Sequence, residues 1–517
     1  MGYKVKLCSV GGALALAMAS APACAKECAQ LAGMTLEAGH VDSAEPVAAG
    51  SFEPPASPFG PPPGVARAAF AGVPAFCRVR ATLTPTPDSD IKVEVWLPAS
   101  GWNGKFVGIG NGIWAGQISY AQMGEPLARG YAVASTDTGH EGNGLTAEWA
   151  IGHPEKLVDF GHRAVHVMTL AAKRAIEAFY GSAPRLSLWN SCSTGGRQGL
   201  MEAYRYPGDY DAISAMAPAN PMTDLMTQTM WVAWQALRTP AAAMTPASLA
   251  LVHRAVVAAC DARDGLADGL VSRPDACAFD PATLACKPGQ DAAQCLNADQ
   301  VDAMKAIYGG VRDARGARLL PGFPPGSEMQ LAVLIGGPAP FPVATSYFAM
   351  LVHAGQPGWE WRAMDYPAEL AAARAFGTDL LNIPPEGLAP FFARGGKLLL
   401  SHGWTDGLIP ATNTLAFWDA LKGRAPADQA RLFMVPGMDH CAGGEGPSAF
   451  DTLGTIDDWA TSGAAPESIV ATRPPAMPGQ PARAPMTRPL CPWPQVARFK
   501  GTGNPDEAAN FNCVAPD

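Results

Sequence analysis

The chain has 517 residues, of which 48% are hydrophobic, and a formal net charge of −9. This length and apolar content can support a large core, and we expect one large domain with a second domain inserted into it. The chain has no basic run and no interleaving of basic with aromatic residues, which argues against nucleic acid as a partner.

The first 25 residues predict an export signal. Lys4 and Lys6 precede an apolar run at 7–19, and Ala23-Cys24-Ala25 then provides a cleavage site, so we predict cleavage after Ala25. The run is shorter than the ~20 residues that span a bilayer, and no later stretch qualifies, so we expect no membrane span. Lipidation at Cys24 is an alternative. The expected location is the periplasm or outside the cell.

The cysteines predict disulfide bonds. Two of the 12 cysteines, Cys8 and Cys24, lie in the predicted signal, and an even number remains, which favours disulfides in an exported protein. Sequence proximity suggests Cys260 with Cys277, Cys286 with Cys295, and Cys491 with Cys513. A bond from Cys28 to Cys77 would tie down the N-terminus, which leaves Cys192 with Cys441 by elimination. Free buried thiols are the alternative for some of them.

The first half of the chain alternates strand-like and helix-like patterns. Residues 45–74 are rich in Pro, Ala and Gly and are expected to be irregular. Strands are predicted at 77–83, 91–97, 105–109, 131–135, 185–189 and 210–216, with a helix at 163–179. This alternation predicts a parallel sheet with right-handed crossovers, and thus an α/β fold.

Two turns in this half carry candidate chemistry. Gly110-Asn111-Gly112 directly follows a predicted strand, where an α/β-hydrolase loop supplies an oxyanion-hole N–H; a plain turn is the alternative. Ser191-Cys192-Ser193-Thr194-Gly195-Gly196 lies between a predicted strand and a segment compatible with a helix at 199–206. It resembles the G-x-S-x-G nucleophile elbow, with Ser191 in place of the first glycine. Ser193 is therefore the candidate nucleophile, and an ordinary serine-rich turn is the alternative.

The alternation stops at about residue 218 and returns at about 390. We interpret 218–389 as an inserted lid, and 26–217 with 390–517 as the catalytic domain. Within the lid, Asp261, Asp264 and Asp268 are separated by glycines, a pattern that suits Ca²⁺, although it is not an EF-hand. A solvated acidic turn is the alternative.

The strands predicted at 397–401 and 431–435, where the alternation returns, are each followed by a candidate catalytic residue. Asp406 follows the first and His440 the second, at the carboxyl ends where open α/β sheets place their sites. The order Ser193, Asp406, His440 is that of the α/β hydrolases. Cys192 and Cys441 adjoin the nucleophile and the base, so a bond between them would hold the two together. A solvated aspartate or a surface histidine is the alternative for each residue alone.

These motifs together resemble the tannase and feruloyl esterase family of secreted serine esterases. The likeness covers nearly the whole mature chain and rests on residues 110–112, 136–140, 192–196, 261–270, 320–328, 402–406 and 435–444. It implies an α/β-hydrolase fold with a large lid, the triad Ser193, Asp406 and His440, and the disulfide from Cys192 to Cys441. It also implies a structural Ca²⁺ held by Asp261, Asp264 and Asp268 with carbonyls near Leu266 and Leu270.

The expected function is hydrolysis of small aromatic esters through an acyl-enzyme, with no organic cofactor. The backbone N–H groups of Thr194 and Gly112 are the predicted oxyanion hole. Hydroxycinnamoyl and gallate esters are the substrates that the resemblance implies, and mono(2-hydroxyethyl) terephthalate is an alternative. A carboxylate substrate would need a cation, for which Arg362, Arg312, Arg315 and Arg318 are candidates. An acyltransferase and a non-catalytic protein that binds phenolics are the other classes.

Overall fold

The computed structural model describes residues 27–55, 63–356, 358–476 and 482–516. The predicted export signal lies outside these residues. The centre of the fold is a ten-stranded sheet in the order β1-β2-β3-β4-β6-β5-β7-β8-β9-β10. Its strands are β1 (Thr35–Leu36), β2 (Gly39–Val47), β3 (Phe76–Leu83), β4 (Ile91–Pro98), β5 (Lys105–Gly108), β6 (Ala132–Thr136), β7 (Leu186–Cys192), β8 (Ala212–Met216), β9 (Lys397–Gly403) and β10 (Ala430–Val435).

The sheet has an antiparallel and a parallel part. β1 to β4 pair antiparallel, as does β4 with β6. From β6 to β10 the pairing is parallel, and β7 lies between β5 and β8. Two short antiparallel pairs complete the strands: β11 (Ile469–Thr472) with β12 (Thr487–Leu490), and β13 (Val496–Phe499) with β14 (Phe511–Val514). The predicted α/β-hydrolase type of fold is confirmed.

The helices flank the sheet and fill the segment between β8 and β9. They are α1 (Pro63–Ala68), α2 (Tyr120–Ala128), α3 (Pro154–Val158), α4 (Ala164–Tyr180), α5 (Thr194–Arg205), α6 (Met222–Leu237), α7 (Pro246–Cys260), α8 (Ala298–Gly309), α9 (Glu328–Ile335), α10 (Pro342–Ser346), α11 (Tyr366–Leu381), α12 (Ala389–Ala393), α13 (Ala411–Leu421) and α14 (Thr452–Ser462). None of the described residues forms a helix that is long and apolar enough to cross a membrane.

Helix α5 begins at Thr194, five residues before the predicted start of 199. The glycines in its first turns are required by close packing. A Cβ on Gly195 would lie 2.1 Å from Oγ of Ser191, and a Cβ on Gly199 would lie 2.4 Å from Cδ1 of Trp189. The glycines therefore let the helix start directly against the strand. The segment 45–74 is also less irregular than expected, since it contains the end of β2 and α1.

We call residues 217–396, which join β8 to β9, the insertion. Helices α6 to α12 lie in it, and its side chains build an apolar cluster that includes Val252, Met304 and Leu331. A second cluster, around Trp114, Phe160 and Tyr347, combines insertion residues with residues from the first half of the chain. The exact bounds of the lid, 218–389, stay a prediction.

The described residues form five disulfides, in the pairs suggested by the sequence. They join Cys28 to Cys77, Cys192 to Cys441, Cys260 to Cys277, Cys286 to Cys295 and Cys491 to Cys513. The second spans 249 residues and links the end of β7 to the loop after β10.

Candidate active site

Ser193 stands at the turn between β7 and α5. Its backbone has φ 64° and ψ −128°, a region that non-glycine residues rarely occupy. The turn is closed because Gly195 and Gly196 follow Thr194: a Cβ on Gly196 would lie 2.5 Å from the carbonyl oxygen of Met216. Ser191, the departure from the usual motif, is buried, and its side chain fills the space beside Gly195. The turn thus holds the Ser193 hydroxyl out above the end of the sheet.

Three side chains form an unbroken chain of hydrogen bonds. Oγ of Ser193 lies 2.9 Å from Nε2 of His440, and Nδ1 of His440 lies 2.7 Å from Oδ2 of Asp406. Asp406 is fully buried and His440 is partly buried. The three predicted residues are therefore brought together in the geometry that lets an imidazole accept the serine proton.

The carboxylate of Asp406 is fixed from several sides. Its Oδ1 accepts from the backbone N–H groups of Leu408 and Ile409, at 2.9 and 2.8 Å. Its Oδ2 lies 3.1 Å from Nε2 of His402, whose Nδ1 lies 2.7 Å from Oγ1 of Thr414. His402 is buried behind the aspartate, so it orients the acid and does not face the cleft.

The local charges favour an ionised acid and a basic imidazole. Burial alone would raise the pKa of Asp406, but the charge of His440 and the hydrogen bonds from both histidines outweigh burial and hold this pKa below its usual range. Burial likewise would lower the pKa of His440, but the charge of Asp406 and the hydrogen bond to it raise this pKa above the ordinary 6.5. The pair is suited to hold a proton on the imidazole during a reaction.

The glycine-rich loop after β5 is clamped onto the start of α5. Asn111 donates its backbone N–H to Oε1 of Gln198 at 3.0 Å, and its side-chain Oδ1 accepts from Nε2 of Gln198 at 3.1 Å. Gly195 N–H donates to the Asn111 carbonyl at 2.8 Å, and the Thr194 hydroxyl donates to the Ile113 carbonyl at 2.8 Å. The loop that carries Gly112 is therefore held beside Ser193.

Thr194 and Gly112, the predicted oxyanion-hole residues, both line the same cavity as Ser193 and His440. Thr194 is the first residue of α5, so its N–H is one of those for which the helix itself offers no acceptor. This position and the adjacent glycine loop suit the binding of a developing negative charge.

The cavity above Ser193 has a volume of about 620 Å³ and a mainly apolar wall. Its apolar side chains come from strand ends, from the loops after β5 and β9, and from the insertion: Ile109, Ile113, Met216, Met222, Leu225, Met226, Leu334, Phe341, Val343, Leu408 and Ile409. Asn111, Gln122, Glu125, Asn190 and Thr229 are polar members of the wall. Such a cavity fits a flat apolar group with a few polar substituents.

No lysine or arginine is among the described residues that line this cavity. The arginines considered from the sequence have other contacts. The Arg362 guanidinium lies over the Trp361 ring, with 4.2 Å to the ring centroid, and the Arg312 side chain donates to the Gly316 carbonyl. Arg315 and Arg318 also lie outside the wall of the cavity.

The acidic loop of the insertion does not line the cavity above Ser193, and it packs against the loop after β10, where a Cβ on Gly437 would lie 2.7 Å from Cδ2 of Leu270. Asp264, Leu266, Asp268 and Leu270 line one small cavity of about 30 Å³. Asp261 accepts from the backbone N–H groups of residues 268 and 269, and Asp268 also accepts from the Arg488 guanidinium at 2.5 Å. In this described part of the chain, the ligand oxygens of Asp261, Asp264 and Asp268 do not all lie within 4.8 Å of one another.

Burial and the neighbouring carboxylates together raise the pKa of Asp264 and Asp268, in the second case to about 6. Arg488 opposes this effect but supplies one positive charge against three acids. The loop therefore concentrates negative charge around a cavity large enough for a single ion.

Comparisons with known proteins agree with this site. The family model described as tannase and feruloyl esterase matches residues 77–341 and 376–514. An uncharacterized esterase of Xanthomonas campestris is 34% identical, over 98% of this chain and 94% of its own. The mono(2-hydroxyethyl) terephthalate hydrolase of Piscinibacter sakaiensis is 31% identical over 87% of each chain. The crystal structure of feruloyl esterase B from Aspergillus oryzae superposes with a TM-score of 0.84 at 26% identity, covering 94% of this chain and 99% of that one.

Proposed function

Because the chain belongs to the tannase and feruloyl esterase family and is a carboxylic ester hydrolase, we propose that it is a serine esterase acting on esters of aromatic acids. The observation that carries this proposal is the chain of hydrogen bonds from Ser193 through His440 to Asp406 at the floor of an apolar cavity. A serine hydroxyl is a weak nucleophile unless a base removes its proton, and this geometry provides that base.

The proposed reaction has two steps. In the first, His440 Nε2 takes the Ser193 proton as Oγ attacks the ester carbonyl, and the negative charge on the carbonyl oxygen is held by the N–H groups of Thr194 and Gly112. The intermediate collapses, and the departing alkoxide takes the proton from His440. In the second, His440 removes a proton from water as the water attacks the acyl group, and collapse of this intermediate releases the acid while Ser193 Oγ takes the proton back from His440. Asp406 stays ionised and stabilises the imidazolium in both steps.

The wall of the cavity favours an uncharged aromatic acyl group. A methoxy or hydroxyl-substituted ring can pack on the methionine, leucine and isoleucine side chains, while Asn111, Gln122 or Thr229 can bond to its substituents. Feruloyl and other hydroxycinnamoyl esters, with gallate esters, are the proposed substrates. Glu125 adds a negative charge to the wall.

The terephthalate monoester is the less favoured substrate, although one relative is named for it. That substrate carries a carboxylate, and burying a carboxylate without a partner is costly. The wall offers no described lysine or arginine to pair with it. This enzyme should therefore hydrolyse methyl ferulate in preference to mono(2-hydroxyethyl) terephthalate.

The direct test is the variant Ser193→Ala on a panel of methyl ferulate, methyl gallate and mono(2-hydroxyethyl) terephthalate. Wild-type protein should release ferulate or gallate, and the variant should lose this activity while keeping its melting temperature. Turnover by the variant would contradict the serine mechanism. Binding of the esters without turnover by wild type would instead indicate a binding protein, and transfer to an added alcohol in preference to water would indicate an acyltransferase.

We also propose a structural Ca²⁺ at the acidic loop. Asp261, Asp264 and Asp268 with the carbonyls of Leu266 and Leu270 form an oxygen donor set of the kind that this ion prefers. The fit rests on the concentration of partly buried carboxylates around a cavity of ion size. The ion would supply charge compensation and hold the loop, and it would take no part in the ester reaction.

EDTA should lower the melting temperature of the wild-type protein, and added Ca²⁺ should restore it. The variant Asp264→Asn should have a lower melting temperature that responds less to EDTA. A melting temperature indifferent to chelator and to added Ca²⁺ would contradict this site.

We propose that the protein is exported, on the basis of its disulfides and of the export signal that the sequence predicts. Five disulfides are stable only in an oxidising compartment such as the periplasm or the cell exterior. Cell fractionation of the native host, with an antibody to the protein, would test this proposal.

A further inference from the structure

One side-chain oxygen of the insertion joins the loop of the catalytic acid to the loop of the base. Oε1 of Gln330, on helix α9, accepts from the backbone N–H of Gly407 at 2.8 Å and from that of His440 at 3.0 Å. The first N–H belongs to the residue after Asp406, and the second to the base itself. Gln330 thus holds the main chain at both members of the acid–base pair.

The orientation of the Gln330 amide is fixed by its partners. Both are N–H donors, so the oxygen must face them and the NH₂ group cannot. The neighbouring N–H groups of the acid turn, those of Leu408 and Ile409, donate to the Asp406 carboxylate. Gln330 therefore completes the hydrogen bonding of the turn that presents the acid.

The packing around Gly407 supports the same contact independently. A Cβ on Gly407 would lie 2.5 Å from the backbone nitrogen of Leu331 and 2.6 Å from the carbonyl carbon of Gln330. The backbone of α9 therefore lies directly on the acid turn, at a distance that only glycine permits. This close approach brings the Gln330 side chain within hydrogen-bond distance of the Gly407 N–H.

The start of α9 is anchored to the base loop by a second set of contacts. Glu328 is fully buried, and its carboxylate lies 3.0 Å from Nδ1 of His253. Nε2 of His253 lies 3.1 Å from the carboxylate of Glu445, which follows His440 by five residues. The position of Gln330 is therefore fixed relative to the base loop as well as within the insertion.

We propose that Gln330 is a positioning residue for the acid–base pair, and that the insertion aligns this pair in addition to covering the cavity. Gln330 acts through the backbone of Asp406 and His440. Leu334, one turn along the same helix, lines the cavity above Ser193. The position of α9 therefore affects both the wall of the substrate cavity, through Leu334, and the alignment of His440, through Gln330. This inference rests on the proposed function.

The test compares Gln330→Leu with Gln330→Glu, with Val333→Ala as a control at an exposed position of the same helix. Leucine removes the acceptor, and small misalignments of a catalytic group cost on the order of 100-fold, so we expect kcat to fall by about 10- to 100-fold. KM should change less than about twofold, because Gln330 acts on the triad. The loss should be equal for p-nitrophenyl acetate and methyl ferulate.

Glutamate keeps an oxygen that accepts both N–H groups, so Gln330→Glu should retain most of the wild-type kcat. Its negative charge beside His440 favours the imidazolium, so the acid limb of the kcat profile should move to higher pH. A purely structural role for Gln330 would not produce this shift. Wild-type kcat in Gln330→Leu, a loss confined to KM, or equal inactivity of both variants would overturn the proposal.

A separate readout distinguishes failure of this inference from failure of the proposed function. The rate of Ser193 labelling by a fluorophosphonate probe depends on activation of the serine and needs no ester substrate. Gln330→Leu should label at least tenfold more slowly than wild type, and Gln330→Glu and Val333→Ala should label at nearly the wild-type rate. Equal labelling of all four proteins would overturn the positioning role even if the natural ester were never identified.

Discussion

The nucleophile side and the acid–base side of the site are held by different parts of the molecule. Ser193 is positioned by the turn between β7 and α5 and by the loop after β5, which Gln198 clamps in place. Asp406 and His440 are on loops that Gln330 of the insertion joins from outside the sheet. The two sides meet through one covalent link, from Cys192 to Cys441.

This difference assigns two tasks to the insertion. On the nucleophile side Phe341 and Val343 cover the cavity, and the insertion makes a main-chain contact at its first residues, where the Ala219 N–H donates to the Ser193 carbonyl at 3.1 Å. On the acid–base side it supplies hydrogen bonds to the main chain of the catalytic loops. Changes in the insertion should therefore affect substrate preference through the first set of residues and turnover of every substrate through the second.

The variant Asp406→Asn breaks the acid–base side and has the largest expected effect. The amide cannot stabilise the imidazolium and favours the wrong tautomer of His440, so kcat should fall by about 10⁴-fold. Stopped assays with p-nitrophenyl acetate measure the loss. The neighbouring variant Asp439→Asn, which keeps an acceptor for Oγ1 of Thr405, should stay within a few-fold of wild type. An Asp406→Asn enzyme within tenfold of wild type would remove Asp406 from the triad.

Removal of the link between the two sides has the next largest effect. The disulfide from Cys192 to Cys441 closes a loop of 249 residues, and native disulfides contribute about 2–5 kcal/mol to the free energy of unfolding. The double variant Cys192→Ala/Cys441→Ala should have a markedly lower melting temperature and a lower kcat, because Ser193 and His440 are next to these cysteines. Circular dichroism melts and esterase assays measure both.

The matched control is Cys286→Ala/Cys295→Ala, which removes a disulfide with a sequence separation of 9 residues in the insertion. It should leave kcat nearly unchanged. If both double variants lost activity equally, the loss would reflect general destabilisation, and the disulfide beside the triad would have no special role in aligning it.

The sequence predicts the nucleophile side better than the contacts that hold the acid–base side. Ser193 lies between a strand and a helix that are adjacent in the chain, and the order of Ser193, Asp406 and His440 is visible without coordinates. The contacts of Gln330 are different: its partners Gly407 and His440 are 77 and 110 residues away. No local pattern marks a glutamine whose role depends on how an insertion folds back.

Dependence on tertiary packing also explains why the sequence does not predict the burial of His402 or the first residue of α5. His402 is four residues before Asp406, so its proximity was visible, but its burial behind the acid depends on Thr414 and the packing of α13. The early start of α5 depends on Ser191 and Trp189, which pack where glycine side chains are missing. Propensity disfavours glycine in helices, and tertiary packing overrides it here.

On the nucleophile side, Gln198→Leu should have a moderate effect. It removes both hydrogen bonds between the Gln198 side chain and Asn111, so the Gly112 N–H should move away from the oxyanion. Loss of an oxyanion-hole donor costs on the order of 10²- to 10³-fold, and displacement of a loop costs less, so we expect kcat to fall about tenfold. Gln198→Glu keeps the acceptor for the Asn111 N–H and should recover part of the loss. Unchanged kcat in Gln198→Leu would show that the loop holds its place without the clamp.

The smallest expected effect is a change in pH dependence on the acid–base side. Asp406 is the main cause that raises the pKa of His440 above 6.5, and the charge of Asp439 adds to it. The base must be neutral to accept the Ser193 proton, so kcat/KM should rise with pH through a midpoint above 6.5. Asp439→Asn removes one negative charge, which lowers the pKa of His440 and should move this midpoint to lower pH. The exposed control Asp458→Asn should leave the midpoint in place, and a midpoint that moved upward in Asp439→Asn would contradict the assignment of His440 as the base.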